Sequence, residues 1–141
     1  MAQAFRHPLL IPNELPHGFI YSDWIVANRA QPGYDNRRQL SIEFGRDSLF
    51  ARIDWSIYAG ADRFDCPAKM SERWPRRSVI NGRPVYANEG IHGVSVWTCL
   101  PPHAVGNVQP LEASVWYDIR LHTPAMLALA MRMVATAKSS A

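Results

Sequence analysis

The stretch that most constrains this chain is its last apolar run, residues 121–138, LHTPAMLALAMRMVATAK. Thr123 is a good helix N-cap, and Pro124 stands where a missing backbone N–H costs nothing, so the spacing predicts a C-terminal helix within 123–138 that runs to about Thr136 or Lys138. A regular core of about 14 residues spans about 21 Å, short of the roughly 30 Å hydrocarbon layer of a bilayer. Arg132 would also lie inside the membrane. No transmembrane segment is expected. Met126, Leu127, Leu129, Ala130, Met131, Met133 and Val134 leave only a narrow polar stripe through Arg132 and Thr136. Such a helix needs a surface to cover it. Its methionines also suit a pliable face for a protein partner, but a sheet of the chain itself is the expected cover.

That sheet is legible upstream. QLSIEFG alternates Leu40, Ile42 and Phe44 against Ser41 and Glu43, and it turns through GRDS into LFARIDWSI. There Leu49, Ala51, Ile53, Trp55 and Ile57 oppose Phe50, Arg52, Asp54 and Ser56. SVINGRPVYANEG carries Asn81-Gly82 between β-prone runs, a strong hairpin signal. HGVSVWTCL and EASVWYDIRL follow, joined by the Pro- and Gly-rich PPHAVGNVQP. The second alternates Ala113, Val115, Tyr117, Ile119 and Leu121 against Ser114, Trp116, Asp118, Arg120 and His122. With GFIYSDWIVA near the start, about six to seven strands precede one helix. The expected class is α+β: a single domain over residues 1–141, a curved antiparallel sheet with the C-terminal helix packed on one face. Residues 1–14 read as an extended N-terminal segment and 58–77 as a long loop or insertion, with a short helix around AKMSERW as the alternative.

At 141 residues, with 48% apolar and 19% charged side chains, the chain can bury a core unaided and is not compositionally disordered. The net charge of +3 is carried almost wholly by arginine, since Lys69 and Lys138 are the only lysines. Arg37 with Arg38, and Arg73, Arg76 and Arg77 in SERWPRRS, are the local concentrations that a nucleic-acid surface would use. So small a net charge argues against that use. Cys66 and Cys99 fit no metal spacing. They read either as a disulfide closing a loop of about 33 residues, valued at about 3–4 kcal/mol, or as two unrelated thiols. The start, MAQAFRHPLLIPNELP, lacks the apolar core of a secretory signal, so the chain as written is expected in the cytoplasm unless a leader was trimmed.

The order of parts resembles a known family. LPHGF opens the first strand, VINGRPV makes a hairpin, a strand ends near VW, and YDIRL runs into an Ala- and Leu-rich terminal helix. The matching positions are Leu15, Pro16, Gly18, Phe19, Val79, Asn81, Gly82, Val85, Trp97, Tyr117, Ile119 and the helix from Thr123. The pattern resembles the extracytoplasmic, sensor-like domains of bacterial anti-sigma factors and related lipoproteins, which are similar in shape to lipoprotein carriers. The resemblance implies a curved antiparallel sheet with a C-terminal helix and an extracytoplasmic location. It implies no active site, because that family is defined by its sheet and helix. The chain departs from the pattern in its 58–77 insertion and in the absence of a signal peptide or anchor from the sequence as written.

The chemistry follows from the outward strand positions. Trp97, Trp116, Phe50 and Trp24, interleaved with Arg52, Asp54, Asp118 and Arg120, predict a polar and aromatic cleft. Such a cleft suits a small amphipathic ligand or a protein partner, and Trp97, Trp116, Arg52, Arg120 and Phe50 are the expected contact residues. The competing expectation is that a second layer buries these rings. The reading drawn is a non-enzymatic, sensor-like binding module. The first alternative is a small enzyme in the same cleft, with Asp54, Asp118 and His92 as acid–base candidates; the second is a nucleic-acid binder through the arginine clusters. His7, His17, His92, His103 and His122 show no ligand spacing, so neither a metal nor a cofactor is expected.

Overall fold

The computed structural model describes residues 9–31, 34–46, 51–59, 76–107 and 111–140. Its elements in chain order are β1 (Leu9–Ile11), β2 (Ile20–Gln31), β3 (Tyr34–Gly45), β4 (Arg52–Ala59), β5 (Arg76–Ile80), β6 (Arg83–Glu89), β7 (Gly93–Leu100) and β8 (Leu111–Asp118). A 3₁₀ turn (Ile119–Leu121), helix α1 (Pro124–Thr136) and β9 (Lys138–Ser140) complete it. Strands β2 to β8 form one seven-stranded antiparallel sheet in the order β2-β3-β4-β8-β7-β6-β5. The expected α+β class therefore holds, with the C-terminal helix packed on one face.

Each run becomes a strand for the reason its alternation gives. In β4, Ile53, Trp55, Ile57 and Ala59 are fully buried while Arg52 is exposed. The same side of the sheet collects Leu40, Ile42 and Phe44 from β3, Val94 and Val96 from β7, and Ala113, Val115 and Tyr117 from β8. The β5–β6 hairpin turns through Asn81 (φ 52°) and Gly82 (φ 72°), with Ile80 opposite Arg83. Two consecutive left-handed residues make the tight turn whose twist matches paired strands.

Helix α1 lies on β5 to β8 and buries Leu127, Ala130, Met133, Val134 and Ala135. Thr123 Oγ1 accepts from the Met126 N–H at 3.0 Å, a cap worth about 1 kcal/mol. At the other end the half-buried Arg83 donates to the carbonyls of Val134 (3.1 Å) and Ala137 (2.9 Å). A guanidinium thus closes the negative end of the helix. The 13-residue helix stops at Thr136, and Ala137 has left helical geometry (φ −55°, ψ 132°). Thr136 is thus the nearer of the two expected ends, and Lys138, the farther one, opens β9.

Strand β9 pairs antiparallel with β1, Leu9 opposite Ser140 and Ile11 opposite Lys138. The segment 1–14, expected only to be extended, thus contributes a strand from within it. The indole of the fully buried Trp55 donates to the Leu10 carbonyl at 3.0 Å and ties this ribbon to the sheet. Two further boundaries move. Strand β8 ends at Asp118, because that side chain accepts from the Arg120 N–H at 2.8 Å and bends Ile119–Leu121 into the 3₁₀ turn. Strand β4 runs on to Ala59 and β5 begins at Arg76, so both ends of the expected 58–77 loop are strand; residues 60–75 lie outside the described residues.

Candidate functional site

The face of the sheet opposite the helix is built from cross-strand rows, because residues opposite one another share a face. One row runs Glu43, Asp54, Trp116, Ser95 and Asn88 across β3, β4, β8, β7 and β6. The next runs Ser41, Ser56, Ser114, Trp97 and Tyr86. A third holds Gln39, Tyr58, Glu112 and Cys99. Across these rows Glu43, Asp54, Ser41 and Ser56 sit on β3 and β4, while Trp116 and Trp97 sit on β8 and β7 among Ser114, Ser95 and Glu112.

The rows enclose a cleft of about 580 Å³. Its lining includes Asp23, Glu43 and Asp54, the hydroxyls of Ser41, Ser56, Ser95 and Ser114, and the rings of Tyr58, Trp97 and Trp116. Trp24 borders it from β2. Tyr58 and Trp97 stack with centroids 5.2 Å apart and planes 10° from parallel, an offset that fixes both rings. Trp116 lies across Gly93 so closely that a β-carbon there would meet the indole at 2.4 Å. Glycine in that position gives the ring its place. On the polar side, the Gln39 amide donates to Ser41 Oγ (3.0 Å) and Tyr58 Oη (3.3 Å). Ser41 and Ser56 share a hydrogen bond of 3.3 Å. An irregularity in β2 between Tyr21 and Asp23 leaves Ser22 bonded to the Glu43 carboxylate at 3.1 Å.

Arg52 stands at the rim, its side chain half exposed, and reaches Asp54 at 3.1 Å and Glu43 at 3.6 Å. Burial raises the Asp54 carboxyl above its ordinary value of 3.8; the Arg52 charge and hydrogen bond pull it down and Glu43 pushes it up, leaving a net rise. The net direction marks a carboxylate whose charge its surroundings under-compensate.

Of the residues expected from sequence, Asp54, Trp97 and Trp116 line the cleft, and Arg52 flanks it. Phe50 lies outside the described residues. Asp118 and Arg120 are not among the lining residues: Asp118 caps the 3₁₀ turn, and the exposed Arg120 stays beside it at 3.7 Å. Although β4 and β8 are neighbours, Trp116 and not Asp118 stands opposite Asp54. His92 is exposed and enters only through its carbonyl, which accepts from the Ile119 N–H at 3.1 Å. His92 and Asp118 thus neighbour one another where β7 and β8 pair, and neither lines the cleft beside Asp54. Cys99 is buried on β7, and Cys66 lies outside the described residues, as do Arg73 and the side chains of Arg37, Arg38, Arg76 and Arg77. Among the described residues no group of three or more His, Cys, Asp or Glu could hold a metal ion, and no helix is long and apolar enough to cross a membrane.

The sequence reading missed two features. Glu43, Asp23 and the serine row join the cleft through strand pairing; Glu43, Ser41, Ser56 and Ser114 had a visible signal in their alternation against apolar neighbours, whereas Asp23 had none. The second is a relay on the helix side. Tyr117 Oη and His122 Nδ1 are 2.9 Å apart, and His122 Nε2 lies 3.1 Å from Glu89 Oε1. Because a carboxylate only accepts, neutral His122 carries its proton on Nε2, and the Tyr117 hydroxyl donates to Nδ1. Burial, with a lesser push from Glu89, raises the Tyr117 hydroxyl from 10.0 to about 12. This relay borders a second cavity of about 440 Å³ floored by Leu127 and Met131. No family model, no curated protein and no solved structure matches the chain.

Proposed function

We propose that the protein is a non-enzymatic binding module that holds a small amphipathic ligand in the cleft on the face of its sheet opposite α1. The observation that carries this reading is a formed cleft of about 580 Å³ in which Trp97 and Trp116 are neither sealed in the core nor fully exposed. Preset rings beside a few convergent polar groups are the usual construction of a ligand site. A sensor-like role outside the cytoplasm, with Cys66 bonded to Cys99, accords with the resemblance to the anti-sigma-factor domains. Such a bond would tether the segment after β4 to β7.

A fragment library screened by saturation-transfer NMR tests the proposal. Hits that contact indole protons and vanish in Trp116→Ala are expected; hits indifferent to Trp116→Ala and Trp97→Ala, or none at all, would overturn it. One observation favours a second reading, acid–base catalysis in the same cleft: Asp54 is raised and stands opposite Glu43. The same spectra, followed with time, decide between the two, because turnover lost in Asp54→Asn would replace binding by catalysis.

A further inference from the structure

We infer that the cleft selects an organic cation: a ligand with a flat apolar group for the indoles and an ammonium for the carboxylates. The inference rests on the binding reading above and adds the ligand's charge and shape. Three carboxylates, Asp23, Glu43 and Asp54, line the cleft, and no Lys or Arg does so among the described residues. The flanking Arg52 supplies one positive charge, shared between Glu43 and Asp54. Among the described residues the polar end therefore carries more negative charge than is neutralised there. The net rise at Asp54 has the same origin, a buried carboxylate with too little positive charge near it.

Position supplies the second half of the argument. In the row Glu43, Asp54, Trp116, neighbouring strands lie about 4.8 Å apart, so the indole position is one strand from Asp54 and two strands, about 10 Å, from Glu43. Trp97 and Tyr58 stand in the adjoining rows, on the same face. Aromatic faces attract cations through their quadrupole and repel anions. Both ends of the cleft thus discriminate against a negative ligand, and the acidic end supplies most of the preference for a cation over its neutral analogue. A saccharide would use the same rings and hydroxyls, but it would leave the excess negative charge unanswered.

Isothermal titration at pH 7 with four probes tests this: phenethylammonium, 2-phenylethanol, 3-phenylpropionate and cellotetraose. Phenethylammonium is expected to bind about tenfold or more tighter than 2-phenylethanol, a gap of about 1.4 kcal/mol. The phenylpropionate should bind weakest, and added salt should narrow the gap. The double substitution Glu43→Gln and Asp54→Asn should abolish the preference, while Trp116→Ala and Trp97→Ala, checked for unchanged circular dichroism, should weaken every aromatic probe. Equal or reversed affinities of the amine and the alcohol would overturn the cation assignment. Binding by the alcohol or cellotetraose alone, sensitive to Trp116→Ala, would overturn it and leave the cleft reading standing. Silence from all four probes would remove both.

Discussion

A methyl group on Gly93 would stand 2.4 Å from two carbons of the Trp116 indole, well inside any real contact. The ring has Gly93 beneath it and Asp54 opposite, so a substitution must displace it into the cleft. Gly93→Ala is therefore expected to cost about 1–3 kcal/mol in urea denaturation and to abolish cleft binding together, as overpacking does. Binding that survives with unchanged stability would mean that the ring is not held there. Alternation put Trp97 and Trp116 outward, because a pleated strand sends successive side chains to opposite faces. It was silent on Gly93, whose importance comes from a neighbour across the β7–β8 pair. It also promoted Asp118 and Arg120, since a run of alternating residues does not reveal that Asp118 will bond to the Arg120 amide and end the strand.

The relay of Glu89, His122 and Tyr117 joins the end of β6, the residue after the 3₁₀ turn and the end of β8, just before α1 begins. Because the folded protein holds the Tyr117 proton up to about pH 12 and the unfolded chain releases it near 10.0, the neutral form is the stabilised one. The contribution is complete below pH 10 and is lost as pH rises towards 12, by up to about 1.4 kcal/mol per unit. Urea denaturation at pH 9, 10 and 11 should show that decline, and Tyr117→Phe should flatten it relative to the parent. A parallel decline in both would assign it to other groups. At this scale local signals served the Asn81-Gly82 hairpin and the Thr123 cap, both decided by their own residues. They left the helix end open between Thr136 and Lys138, and 138–140 pair with the distant β1. The relay joins residues 33 positions apart and has no local signature.

Taken whole, the molecule has one face closed by α1 and the β1–β9 ribbon, and one face that carries the cleft. The class and the helix-on-sheet arrangement were legible because apolar alternation and a nearly all-apolar helix require each other. The strand order was not: β4 lies beside β8 across a separation that only tertiary pairing chooses. Whether a covalent link spans the two halves is a question for intact mass, with alkylation under denaturing conditions before and after reduction. One Cys66–Cys99 bond is expected, which on loop entropy adds about 3–4 kcal/mol; two alkylated thiols without reduction would refute it. The ribbon has a mechanical consequence of its own. Leu9 and Ser140 are partners at its open end, so tension applied to the two ends of the described chain peels the ribbon one pair at a time, like a zip. The seven-stranded sheet feels no load until that fuse has parted.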